Sequence, residues 1–145
     1  MFEERSHEEE VVSDLEDDEN EQALDKKYNF TKEVTYTVFL DEFWPRIGKK
    51  WSAKYNPSLI WTEIMFIIKG CFEALSKPTG HLSKEEYMNL GRKEAPIFWE
   101  ERKCIYDIFK KYDCFKIQNF SFDEMDVIHS VFNRFVFYIF FHQYM

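Results

Sequence analysis

The sequence predicts an all-α fold, about five helices in one domain behind an acidic N-terminal tail. Apolar residues recur at helical spacing through much of the chain, helix-start signals precede several of these runs, and neither a convincing strand pattern nor an internal repeat is present. With 145 residues, 45% hydrophobic and 19% aromatic, the chain is long enough for one domain with a real core.

Element by element, "NFTKEVTYTVFLDEFWPRI" spaces Tyr36, Phe39, Leu40, Phe43, Trp44 and Ile47 for an amphipathic helix, which Pro45 ends or kinks. "GKKWSAKY" reads as a basic loop. Asn56 is then a good N-cap and Pro57 suits the first helical position. In the helix that follows, Ile60, Ile64, Ile67, Ile68, Cys71 and Leu75 share one face, which Trp61, Met65 and Phe72 widen. Trp61 reads as a core anchor; Glu63 and Glu73 read as a solvated face. Gly70 in its middle costs up to about 1 kcal/mol relative to Ala and suggests close approach of a neighbouring helix. Its core, "WTEIMFIIKGCFEAL", has three charges in fifteen residues, too many for a membrane span. "SKPTG" stops it.

A short helix comes next, with Ser83 and Glu86 as a capping box, Leu82 and Tyr87 as a hydrophobic staple, and Gly91 at its C-terminal turn. Phe98, Arg102, Ile105, Ile108, Phe109 and Tyr112 define a further helix. The last opens on a second capping box, Ser121 and Glu124, with Met125, Ile128, Val131, Phe132 and Phe135 inward.

The acidity sits apart from these elements. Residues 1–24 carry eleven Asp or Glu against one Arg, whereas residues 25–145 carry sixteen acids against eighteen Lys or Arg. The net charge of −8 therefore belongs to the start, and residues 1–27 are expected to be a disordered, solvating tail. Such a start is unlike a signal or transit peptide. Cys71, Cys104 and Cys114 are odd in number and lack CxxC spacing, so neither a disulfide framework nor a zinc cluster is expected. The expected setting is reducing and intracellular, cytoplasmic or nuclear.

Candidate chemistry is sparse. "FDEMD", residues 122–126, imitates the magnesium-binding DExD of an ATP site, but it follows a helix cap where acids favour the helix dipole. The four glycines never form a phosphate loop. "LSKPTGHLSKEEY" imitates a calcium loop with Gly80 at position 6 and Glu86 at position 12, yet its first ligand positions are Leu75, Lys77 and Thr79. His7, His81, His129 and His142 are scattered and read as structural or solvated. Arg46, Lys49, Lys50 and Lys54, interleaved with Trp44, Trp51 and Tyr55, are candidates for contact with a nucleic-acid backbone, with Trp51 able to stack on a base.

Several phrases together, "FWPRI", "PSLIWTEI", "IKG" with "EALS", "LSKEEYMNLGRK" and "FSFDEMDVIHSVFNRF", resemble the large TPR and ankyrin repeat-containing proteins, over residues 30–135. The resemblance implies a helical insertion within a superfamily 1, UvrD/Rep-like helicase region, between its phosphate loop and its acidic magnesium motif. No phosphate loop precedes the block here. After Arg134, where the family runs on to a D-E-x-Q-D-type motif, the chain reads "FVFYIFFHQYM", so none of the family's catalytic residues has a matching position. Residues 136–145 form an atypical aromatic end and an aggregation risk if exposed.

The leading expectation is thus a piece of a UvrD-like helicase, inert by itself. Its longer parent would couple ATP hydrolysis to translocation on, or unwinding of, nucleic acid, with ATP and magnesium bound only there. The implied partners are the rest of the helicase core and, weakly, a nucleic-acid backbone; no metal and no membrane are expected. The alternative is a small helical protein–protein interaction module whose aromatic C-terminal helix docks in a partner groove.

Overall fold

In a computed structural model, residues 32–91 and 101–145 are described. The expected acidic tail and Phe98 lie outside them.

The described residues are overwhelmingly helical, as predicted. The chain enters along β1 (Lys32–Glu33) and turns into α1 (Tyr36–Val38), which continues without a break as a π-helical turn, Phe39–Phe43, and a 3-10 turn, Trp44–Arg46. Pro45 sits in that last turn and ends the helix, as its missing N–H requires. The stretch read as a basic loop contains a single helical turn, α2 (Lys49–Ser52). Then α3 (Pro57–Thr62) starts on Asn56, whose side chain accepts a hydrogen bond from the Ser58 amide at 2.9 Å.

What sequence spacing describes as one long helix through Leu75 is two pieces. The first, α3, widens into π geometry over Glu63–Ile68 and stops; α4 (Phe72–Leu75) starts afresh after Cys71, which is extended. The wide turn closes with the Lys69 amide donating to the Ile64 carbonyl at 3.0 Å, five residues back. Lys69 is thereby stacked over the fully buried Ile64 and carried into the interior. A Cβ on Gly70 would lie 2.3 Å from the Met65 carbonyl oxygen. The glycine is therefore required by the chain's own turn, not by a neighbouring helix.

After the break come α5 (Lys84–Asn89), α6 (Arg102–Gln118), β2 (Ser121–Phe122) and α7 (Glu124–Tyr144). The capping box at α5 is present as expected: Ser83 Oγ accepts from the Glu86 amide and the Glu86 carboxylate accepts from the Ser83 amide. Its staple residues, Leu82 and Tyr87, are both buried in the core. At α7 the box is Asp123 with Asp126, two residues later than the Ser121 and Glu124 expected. The shift has a cause. Ser121 and Phe122 stay extended to pair in parallel with Lys32 and Glu33, a contact extended by the Val34 amide donating to Phe122 O at 2.7 Å, so the helix starts only afterwards. The bend into β2 puts Phe120 at φ 49°, an uncommon conformation for a residue with a side chain.

The core gathers around one ring. Phe39 has its ring centroid 5.0 Å from that of Trp61, 5.2 Å from Phe43 and 5.6 Å from Tyr112, tying α1, α3 and α6 together. Such pairs contribute about 0.5–1.5 kcal/mol beyond area burial. Ile60, Ile64, Ile68, Ile105, Ile108 and Phe109 complete it with no exposed surface, each contributing roughly 1.5–3 kcal/mol on burial. Two expectations fail at the edge of this core. Phe72, placed on the inner face of a continuous helix, is exposed because α4 restarts in a new direction. Glu63, read as solvated, is buried and accepts a hydrogen bond from Tyr87 Oη at 2.8 Å, because the π turn brings it inward.

Burial raises the Glu63 carboxyl above its usual range, against the lowering effects of the Tyr87 hydrogen bond and nearby Arg102. A raised carboxyl stabilises the fold below its unfolded pKa of about 4.3, and that contribution is lost as pH rises through the folded value. Glu63→Gln keeps an acceptor for Tyr87 without the charge. It is expected to raise the urea midpoint at pH 7 and to lose that advantage in acid, where Glu63 is already neutral. Gly70→Ala is expected to destabilise by roughly 1–3 kcal/mol in urea unfolding, the cost of forcing atoms into filled space, where helix propensity alone would predict a gain.

Candidate interaction site

Of the "FDEMD" acids, Glu124 is exposed, while Asp123 and the half-exposed Asp126 are taken by lysines. Asp123 has no exposed surface, and its Oδ2 accepts from Lys69 Nζ at 2.5 Å and from Tyr112 Oη at 2.9 Å, with Lys116 Nζ also at 2.9 Å. Asp126 is paired with Lys69 at 2.8 Å and Lys116 at 2.5 Å. Asp123 Oδ1 accepts from the Asp126 amide at 3.0 Å while Asp126 Oδ2 accepts from the Asp123 amide at 2.9 Å. Two carboxylates and two ammoniums thus neutralise one another at the junction of α3, α6 and α7. Burial pushes Asp126 upward, but Lys69 and Lys116 outweigh it and hold the carboxyl at about 2. Burial lowers Lys69, the more enclosed of the two lysines; for Lys116 the two carboxylates outweigh burial and raise it. Sequence reading expected a capping box here but placed it on Ser121 and Glu124, and it missed both lysines, since nothing in a 3.6-residue pattern marks Lys69 or Lys116 as buried.

The loop that imitates a calcium site is likewise committed to structure. Glu86 pairs with Lys77 and closes the α5 cap. Gly80 adopts φ +73°, and a Cβ there would meet the His129 ring at 3.0 Å. His129 Nε2 lies 2.6 Å from the Lys77 carbonyl, so this histidine clamps α7 to the loop, the structural role expected of it. Among the described residues no group of three or more His, Cys, Asp or Glu can hold a metal ion, and no helix is long and apolar enough to cross a membrane.

The predicted basic patch divides. Lys54 is paired with Glu101 at 2.8 Å, and Tyr55 Oη donates to the same carboxylate at 2.6 Å. Trp51 is half-buried with the Lys111 ammonium 5.0 Å from its ring centroid, so that face is taken. Lys49 and Lys50 are exposed on α2. Arg46 lies 5.7 Å over the Phe115 ring and lines a shallow groove of about 380 Å³ between the end of the α1 segment and α6, beside Phe43, Ile47, Lys110, Lys111 and Cys114. Lys110 and Lys111 joined the patch only through folding; they lie some sixty residues away in sequence from Lys50.

The largest apolar surface belongs to α7. Of the residues expected to face inward, Met125 is buried and Phe132 is half-buried against Phe72, ring centroids 6.2 Å apart; Ile128, Val131 and Phe135 are exposed. The physical reason is the short reach of the core: α4 is the last element α7 meets. From Arg134 onward every residue is exposed, Phe137 to 69% and Phe140 to 62%, and the rings stack only on their own helix, as Phe137 does on Phe141.

Three comparisons bear on this surface. The chain is 38% identical over 143 residues to the human TPR and ankyrin repeat-containing protein 1, an alignment covering 89% of this chain and 5% of that protein's length. No family model matches, and no solved structure matches. The relative is named for two repeat types, and nothing in its name or in the described geometry supports a UvrD-like helicase segment. The helicase reading is therefore overturned, together with the ATP-binding and hydrolase assignments and the helicase core as partner; the similarity to a TPR and ankyrin repeat-containing protein stands.

The ionic junction yields a direct expectation. Asp123→Ala is expected to cost about 3–5 kcal/mol in chemical unfolding, since it leaves buried ammoniums short of a partner. Lys84→Ala, which breaks the half-exposed pair with Asp107 at 2.9 Å, is expected to cost less than about 1 kcal/mol.

Proposed function

We propose that this chain is a helical protein–protein interaction module that uses the exposed face of α7 to pack against a helical-repeat surface. The observation that carries this is the run 135–141 of α7, "FVFYIFF": it is apolar on all sides of the helix, such a stretch normally belongs to an interior, and every residue in it is exposed. TPR and ankyrin units supply the complementary chemistry. Each repeat of such an array leaves an apolar face that only a neighbouring helical element covers, and the stacked array offers an extended concave surface. The similarity to a protein named for those repeats supports the same class of partner. Anchoring follows the helix-in-groove mode, with residues at i, i+3, i+4 and i+7 entering the groove; Phe137, Phe140, Phe141 and Tyr144 have that spacing.

The test is binding of the full chain to an immobilised TPR and ankyrin repeat segment of the human relative. The wild-type chain is expected to bind. The triple variant Phe137→Ser, Phe140→Ser and Phe141→Ser is expected to bind about tenfold or more weakly, with its unfolding midpoint unchanged because these side chains touch no core residue. Equal binding by both chains, or none by the wild type, overturns the reading.

A further inference from the structure

A second surface on the opposite chemistry is built between the α1 segment and α6, and it does not rest on the reading of α7. We infer that the groove beside Arg46, Lys110 and Lys111 is a docking site for an acidic peptide segment carrying one apolar anchor side chain. The floor is apolar, made by Phe43, Ile47 and Phe115, and about 380 Å³ holds one large side chain with its flanking backbone. The rim is cationic. Among the described residues no carboxylate is paired with Arg46, Lys110 or Lys111, nor with Lys49 and Lys50 on neighbouring α2, although most other lysines here have one. Two of the rim charges are held in place by rings: Arg46 over Phe115 at 5.7 Å and Lys111 over Trp51 at 5.0 Å. Such placement lowers the ordering cost of meeting an anion, which is where binding energy is otherwise lost.

Charge complementarity selects an acidic ligand, and the details select a peptide over a nucleic acid. Lys54 is consumed by Glu101, Trp44 and Tyr55 are buried, and the half-buried Trp51 has a face covered by Lys111, so none of the three rings is offered freely to a base. Residues 25–145, with sixteen acids against eighteen Lys or Arg, also lack the strongly basic balance of a nucleic-acid-binding domain. An apolar floor ringed by cations instead matches a carboxylate-flanked Phe or Leu, whose anchor desolvates while its charges stay at the wet rim.

Cys114 gives the measurement, because its exposed thiol lines the groove. The probe is a synthetic peptide with a central Phe flanked by glutamates, compared with the same peptide bearing Ser at the centre and with a single-stranded oligonucleotide of similar length. Fluorescence anisotropy on the full chain reads affinity, and mass spectrometry of the Cys114 peptide reads its rate of alkylation. The Phe peptide is expected to bind in a salt-sensitive manner, to slow Cys114 alkylation several-fold, and to bind about tenfold more tightly than the Ser peptide. The exposed variant Lys110→Glu is expected to weaken binding several-fold with an unchanged unfolding midpoint. The proposal is overturned if the oligonucleotide binds as tightly as the Phe peptide, if the anchor makes no difference, if charge reversal leaves affinity intact, or if Cys114 reacts at its unliganded rate in the complex.

Discussion

Three charges buried at one junction, with a fourth at its rim, set the terms for the rest of this molecule. Lys69, Lys116 and Asp123 are each too costly to bury alone, so each meets opposite charge at close range, and the half-exposed Asp126 completes the balance. Meeting that demand dictates backbone geometry on three sides. The chain widens into π geometry so that Lys69 arrives over Ile64, and it then needs Gly70 because any larger residue strikes the Met65 carbonyl. Tyr112 and Lys116 must sit one turn apart on α6. The start of α7 must fall at Asp123, which the parallel pairing of β1 with β2 enforces.

The same junction explains why α7 is well held at one end and bare at the other. Its first turn is locked by the reciprocal bonds of Asp123 and Asp126, and His129 ties the second to the 77–80 loop. Phe132 against the exposed Phe72 of α4 is its last ring contact with another element among the described residues. Beyond it the helix runs on for three further exposed turns, apolar throughout residues 135–141. A helix anchored in this way grows from a fixed base, which lowers the cost a partner meets in ordering its apolar outer half. The basic groove beside α6 presents the opposite chemistry, with two of its cations steadied on aromatic rings.

Much of the fold was legible because it obeys simple periodicity. The helices at Asn56 and at Ser83 carry their caps in plain sequence, and the one through residues 105–112 carries its apolar stripe. The failures share a physical origin. Glu63 and Lys69 are charged residues brought inside by π turns, and an analysis based on 3.6 residues per turn places both on the surface. Ser121 and Glu124 satisfy the capping pattern in sequence as well as Asp123 and Asp126 do, and only the tertiary pairing of β2 decides between them. On the sites, Arg46, Lys49, Lys50, Trp51 and Lys54 were singled out by proximity in sequence, whereas Lys110 and Lys111 reach the same surface only through folding. Of the apolar stripe expected to face inward on α7, Met125 and Phe132 do so while Ile128, Val131 and Phe135 do not, because periodicity shows that a face exists and not what covers it.

The central claim, a helix fixed at its base and unpartnered along its outer half, is tested most directly by native-state amide hydrogen exchange across α7. Amides near Ile128–Phe132 are expected to approach the protection of the α6 core, and those from Phe137 to Tyr144 to exchange through local fraying orders of magnitude faster. Uniform strong protection from one end of α7 to the other would contradict the account, since it would mean that the outer half is already buried in the chain as it stands.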